Sequence, residues 1–139
     1  TKIGITGGSY GGYVACMGIT FGADYFTHSL ADFSVTDWHL YDSHYTERYM
    51  DTPEENPGGY NISNLLNHVD QLNGKLMLIH GTADNVVVWQ HSLMYLQKAI
   101  SKGVQLDYFV YPGHEHNVRG KDRVHLNEKI TRYFNDYLK

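Results

Sequence analysis

The sequence predicts an α/β chain, a four-stranded parallel sheet flanked by helices. Two observations carry this. Short apolar runs of strand length alternate with longer segments of helical periodicity, the pattern that strand–helix crossovers leave in a sequence. One run, KLMLIHG at residues 75–81, is apolar almost without interruption, as parallel strands covered on both faces are. With 139 residues the chain is one domain by length, spanning 1–139, with room for a hydrophobic core. An apolar content of 42 % and an aromatic content of 14 % fit a globular chain.

The elements follow in order. KIGIT at 2–6 is the first strand candidate, and YVACMGIT after it reads as a helix that is apolar nearly all round and therefore buried. DYFTHSLADF at 24–33 is the second strand candidate and 75–81 the third. VQLDYFVYP at 104–112 is the fourth, ended by Pro112 and Gly113. Between the third and fourth, Trp89, Leu93, Leu96 and Ile100 recur at helical spacing, with Gly103 as the stop. Leu126, Ile130, Tyr133, Phe134 and Tyr137 mark one face of a terminal helix whose Asp122 and Lys139 suit its dipole. Residues 36–73 differ. They form an elaborated insertion with a turn-like TPEENPGGYN segment, one short helix near 38–50 and another near 62–69.

Composition also excludes partners. A net charge of −4 without long runs of one sign offers no basic surface for nucleic acid. No stretch reaches the roughly 20 apolar residues of a membrane span. Cys16 is the single cysteine, so no internal disulfide or thiolate cluster forms, and its apolar neighbourhood makes it a small core residue. The start at Thr1, directly before an apolar run, reads as a break inside a longer protein, so nothing follows from it about localisation.

The chemistry begins at GGSYG, residues 7–11, which fits the nucleophile pattern G-x-S-x-G. A strand turning sharply into a helix needs small residues two before and two after the serine, so Gly7 and Gly11 are the structural elbow. Ser9 then sits at a helix N-terminus, where the Tyr10 N–H can face an oxyanion. A phosphate-binding loop is the rival, but no lysine follows in the required register. Asp84 lies just beyond the third strand and His114 and His116 just beyond the fourth, at the carboxyl edge where open α/β sheets place their sites. An aspartate that orients an imidazole, and an imidazole that takes the serine proton, is the arrangement a hydroxyl nucleophile needs. Metal ligation by His114, Glu115 and His116, with His80 or His91, stands as the alternative, although no third ligand falls at a diagnostic spacing. Asp84 also suits a turn or helix cap. His28, His44, His68 and His125 read as surface or structural residues.

With these residues in place, the chain resembles the catalytic domain of the prolyl oligopeptidase family, in its dipeptidyl peptidase IV branch. GGSYGGYV at 7–14, YDSHYTERYM at 41–50, LIHGTADNVV at 78–87 and YPGHEHNV at 111–118 carry the resemblance, which extends over essentially the whole chain. It implies the C-terminal part of an α/β-hydrolase fold, a serine peptidase without cofactor or metal, and Ser9, Asp84 and His116 as nucleophile, acid and base. His114 remains the outside candidate for the base. Tyr10 becomes an oxyanion donor, and Val35, Trp38, Tyr41, Tyr45, Asn85, Val86 and Val87 fall on substrate-pocket positions. An aromatic slot of limited size suits proline or alanine before the cut, so the implied partner is a peptide that loses an N-terminal X-Pro or X-Ala dipeptide. The chain departs from the family at Gly8, where an aromatic or histidine is usual, and at Asn85, which follows the acid without the branch's extra acidic residue.

The resemblance further implies that a β-propeller, the first hydrolase strands and a second oxyanion donor lie upstream in a parent chain. It implies that this parent is exported, periplasmic or membrane-anchored at the cell surface. The first strand would then be an open edge, and a homodimer or other self-association through it is expected. Related endopeptidase, acylaminoacyl peptidase or esterase activity, and a catalytically degenerate interaction scaffold, are the competing expectations.

Overall fold

In the computed structural model, which describes all 139 residues, four strands form one parallel sheet in the order β1-β2-β3-β4. The strands are β1 (Gly4–Gly8), β2 (His28–Asp32), β3 (Lys75–Gly81) and β4 (Asp107–Tyr111). Helix α1 (Tyr10–Gly18) connects β1 to β2, and α4 (Gln90–Ser101) connects β3 to β4. Between β2 and β3 run a 3₁₀ turn at Trp38–Leu40, α2 (Ser43–Met50), α3 (Pro57–Ser63) and a second 3₁₀ stretch at Leu65–Gln71. Helix α5 (Asp122–Tyr137) closes the chain. No helix is long and apolar enough to cross a membrane.

Two apolar clusters cover the two faces of the sheet. The larger one joins Ala15 and Cys16 of α1, and Ile19 just after it, to Leu76 and Leu78 of β3, Tyr95 and Ala99 of α4, and Tyr60, Leu65 and Val69 of the 36–73 region. The smaller one sets Leu126 and Tyr133 of α5 against Leu30, Phe33, Ile79, Tyr111 and Val118. The sheet is thus the middle of three layers, as the uninterrupted apolar run of β3 requires. Cys16 is fully buried, and burial pushes its thiol up to about 12.

Several elements sit differently from their sequence expectation, each for a packing reason. β1 begins two residues later and runs on into the glycines, because Gly7 and Gly8 pair with Ala31 and Asp32. Residues 24–27 belong to the turn after α1, and Tyr25 is 73 % exposed. Likewise 104–106 lead into β4 without pairing, although Val104 and Leu106 pack on the core. TPEENPGGYN is only partly a turn: Pro57 opens α3, where its fixed φ and missing N–H suit a first helical position, and the Asn56 side chain accepts from the Gly59 N–H.

The largest difference is the face of α4. The apolar residues Leu93 and Ile100 are 38 % and 77 % exposed, while His91, Ser92, Tyr95 and Ala99 point inward. Polar residues occupy the inner face because the neighbouring loops offer them buried hydrogen-bond partners. Leu78→Ala is therefore expected to lower stability by about 2–5 kcal/mol, and Ile100→Ala to change it by less than about 0.5 kcal/mol. Urea-unfolding midpoints of the two variants measure this contrast.

Candidate active site

Parallel strands deliver their carboxyl ends to one edge, and the segments leaving β1, β3 and β4 meet there. The first turns at Ser9, which has φ 58° and ψ −118°, a backbone region that side chains disfavour. Its N–H donates to the Asp32 carbonyl at 2.9 Å and its carbonyl accepts from the Tyr13 N–H at 3.1 Å, so strand and helix hold it from both sides. A serine before a helix ordinarily caps the free N–H groups with its hydroxyl. Ser9 does not, and its Oγ lies 3.0 Å from His116 Nε2.

Gly7 has no alternative, since a Cβ there would collide with the Gly11 carbonyl. The second small residue is Gly12 and not Gly11. A Cβ on Gly11 meets open space, whereas one on Gly12 would press to 2.9 Å from Ser34 Cβ and 3.0 Å from the Asp32 carbonyl. Gly12 is thus the point where α1 packs against the backbone at the end of β2. At Gly8 the room of the absent side chain is taken by the Asp32 carboxyl, 3.2 Å from where a Cβ would stand. Burial raises the pKa of that carboxyl, against the pull of Arg123, His116 and His80.

Asp84 is buried, and both of its carboxylate oxygens are engaged. Oδ1 accepts from the N–H groups of Val86 and Val87, each at 2.9 Å, which is a turn-closing role. Oδ2 lies 2.8 Å from His116 Nδ1 and 3.3 Å from His80 Nε2. Burial alone would raise this carboxyl. The His80 ring beside Oδ2 and the hydrogen bonds from His116 and the two backbone N–H groups outweigh burial and hold it below the ordinary value. A donor on Nδ1 leaves His116 Nε2 to accept the Ser9 hydroxyl proton.

His116 is carried by a loop stitched to the acid loop. The Ala83 N–H donates to the His114 carbonyl at 3.0 Å, and the Gly113 N–H to Thr82 Oγ1 at 2.8 Å. A Cβ on Gly81 would strike the His114 carbonyl, so only glycine lets β3 end against this loop. The Asn117 N–H closes onto the Glu115 carbonyl at 2.8 Å, bending the chain around His116. His114 is turned away, with Nε2 2.7 Å from Asp122 Oδ2.

Against Tyr10, the residue after Ser9, lies a cavity of about 500 Å³ walled also by Tyr13, Trp38, Tyr45, Tyr49 and Met50. Trp38 and Tyr45 stack with ring centroids 6.3 Å apart, and Tyr41 meets Trp38 edge-on at 5.8 Å. Of the expected pocket residues, Trp38 and Tyr45 line this cavity and Tyr41 braces it, while Tyr10, expected as the oxyanion donor, also lends its ring to the wall. Val35 and Val87 are instead core residues, 1 % and 0 % exposed. Asn85 and Val86 line a separate polar groove with His114, Glu115, His116 and Asn117. The Asp84 carboxylate pulls the backbone of Val86 and Val87 into its turn, which aims this segment away from the aromatic wall.

The sequence model of the prolyl oligopeptidase family matches residues 1–139. The chain belongs to that family. It is 42 % identical over 119 residues to a protein of Talaromyces marneffei named as a dipeptidyl-aminopeptidase B, covering 84 % of this chain and 13 % of that one. It is 33 % identical over 139 residues to the inactive dipeptidyl peptidase 10 of Rattus norvegicus, covering 99 % of this chain and 18 % of the relative. A structure named as a dipeptidyl aminopeptidase IV, from Bacteroides ovatus, superposes with a TM-score of 0.95 at 46 % identity, covering 96 % of this chain and 19 % of that one. The dipeptidyl peptidase 4 of Porphyromonas gingivalis gives 0.93 at 36 % identity. The chain thus spans less than a fifth of the relatives it matches, and these are larger proteins.

One residue, named in the sequence only as a possible metal ligand, has a different role in the site. His80 is fully buried, with Nε2–H donating to the Val87 carbonyl at 2.7 Å and Nδ1 2.7 Å from Ser92 Oγ. It props the turn of Asp84 against α4. Only its place four residues before the acid could have marked it. Because the Asp84 carboxyl titrates lower in the fold than in the free chain, it contributes stability above about pH 4 that is lost as pH falls through the folded value. Asp84→Asn is expected to remove this acid-sensitive part, leaving a flatter profile of urea midpoint against pH than the parent shows.

Proposed function

We propose that the protein containing this chain is a serine peptidase that releases X-Pro or X-Ala dipeptides from peptide N-termini through an acyl-enzyme. The observation that carries this is the continuous row of hydrogen bonds from Ser9 Oγ through His116 to Asp84 Oδ2. His116 accepts the hydroxyl proton as Ser9 attacks the scissile carbonyl, and Asp84 holds the imidazole and offsets its positive charge. The Tyr10 N–H, first in α1 and without an acceptor inside the helix, donates to the oxyanion. His116 then protonates the leaving amine, and water, activated by the same imidazole, frees the acid. The aromatic cavity takes the residue before the cut, where flat, closely spaced rings suit a pyrrolidine or a methyl group. The names of the relatives support the dipeptidyl specificity.

A second reading has one observation in its favour, the 33 % identity to a relative named inactive. On that reading the fold serves as an interaction scaffold. A fluorophosphonate probe separates the two, because labelling of Ser9 requires a working base. In the full-length protein, Gly-Pro amide is expected to be cleaved and its N-blocked form spared, and Ser9→Ala to lower kcat by about a thousandfold or more. Equal cleavage of the blocked form would overturn the exopeptidase assignment.

β1 is hydrogen-bonded only to β2 within this chain, so its second edge is open to another strand. In the parent that place belongs to preceding hydrolase strands, and in this chain alone a second copy takes it. Sedimentation at micromolar concentration is expected to show a dimer or larger species, and a monodisperse monomer would exclude that pairing.

A further inference from the structure

The inner face of α4 carries a residue that none of this chemistry uses. His91 is fully buried, and its ring is aimed at the backbone of the segment between β2 and Trp38. Nδ1 accepts from the Thr36 N–H at 3.1 Å and approaches the Asp37 N–H at 3.5 Å. The His91 carbonyl accepts from Thr36 Oγ1 at 2.8 Å. One residue thus grips three groups of a loop that has Val35 in the core on one side and Trp38 on the cavity wall on the other. Burial, helped by the nearby His80, lowers the His91 pKa to about 4 against the pull of Asp37 and Asp84, so the ring stays neutral and able to accept.

We propose that His91 is a specificity-positioning residue: its imidazole, by accepting the Thr36 and Asp37 N–H groups, fixes the loop that holds Trp38 as the wall of the aromatic cavity. Removing the acceptor leaves two buried N–H groups without a partner, a state the loop escapes only by moving. Movement of this loop carries Trp38 with it. It leaves the Ser9–His116–Asp84 row in place, since none of those residues hydrogen-bonds to residues 34–38, and Phe33, whose ring meets His116 edge-on, is anchored by its N–H on the Ile79 carbonyl. The adjacent Ser92 holds His80 and hence the acid loop, so neighbouring side chains of one helix serve separate parts of the site. As a positioning role for the peptidase proposed above, this assignment rests on that function, and its test needs a readout that survives if the function fails.

The test uses the full-length protein and three variants. His91→Leu keeps the bulk and loses the acceptor, His91→Gln keeps an acceptor, and Thr36→Val removes only the hydroxyl bond. With X-Pro and bulkier X-Val amides, His91→Leu is expected to raise the KM for X-Pro about tenfold and to narrow the preference for proline over valine. Its rate of fluorophosphonate labelling at Ser9 should stay within about twofold of the parent, because the serine row is untouched. His91→Gln should recover most of the KM, and Thr36→Val, the safer variant for folding, should shift KM in the same direction by a smaller amount. The independent readout is ¹⁹F NMR of protein labelled with 5-fluorotryptophan, with the Trp38 signal assigned by its loss in Trp38→Phe. That signal should shift or broaden in His91→Leu and in Thr36→Val. Parent protein inactive on X-Pro amide, with a Trp38 signal that still responds, would overturn the peptidase assignment and keep the His91 role in cavity order. Active protein with unchanged KM, preference and Trp38 signal in both variants would overturn the role of His91. So would equal loss of labelling and turnover at unchanged KM.

Discussion

The buried carboxylate of Asp84 is the group around which this end of the sheet is arranged. A charge removed from water persists only where donors replace the solvent, and here three donors do so. Two are backbone N–H groups of its own turn, which exist wherever the chain bends this way. The third is the imidazole of His116, from the loop after β4, and it requires the sheet to bring distant segments together, while the His80 ring, four residues before Asp84, lies 3.3 Å from Oδ2. The two oxygens divide the work, so the turn role and the histidine-orienting role are compatible in one side chain. Gly81 is the steric condition for this meeting, since the histidine loop lies directly over it.

The same logic explains why α4 is turned as it is. Hydrophobic periodicity alone would bury Leu93 and Ile100. The helix instead buries His91 and Ser92, because the loop before Trp38 and the ring of His80 would otherwise keep unpaired polar atoms in the interior. Burial of two leucine-sized groups offers a few kcal/mol. Leaving several buried polar groups unsatisfied costs at least as much. The bonds made by His91 Nδ1 and Ser92 Oγ favour this face although His91 Nε2 and Tyr95 Oη lie buried without partners on it, and the Tyr95 ring and Ala99 supply its apolar packing.

The strands, the terminal helix and the serine elbow were legible because their signals are local. Consecutive apolar residues made β3 readable to the residue, and Leu126 through Tyr137 share a face whose period matches one helix. The order serine, aspartate, histidine was legible because each follows a strand of the same parallel sheet. The pocket was less so. Trp38 and Tyr45 reach the cavity, but Val35 and Val87 sit in the core because the sequence shows which residues are apolar and not which side of a loop they face. Gly11 and Gly12 illustrate the same limit, as two adjacent glycines differ only in what α1 packs against.

By itself the sequence determined the α/β alternation, the strained turn at Ser9 and the identity of the groups able to form a proton relay. These follow from residue type, spacing and chain order. The tertiary structure decided that His116 and not His114 faces both Ser9 and Asp84, that Asp32 fills the space beside Gly8, and that His80 and His91 are buried acceptors and donors. Those outcomes depend on which segments the sheet brings within 3 Å of one another, and hydrogen bonds of that length select one partner among several chemically equivalent residues.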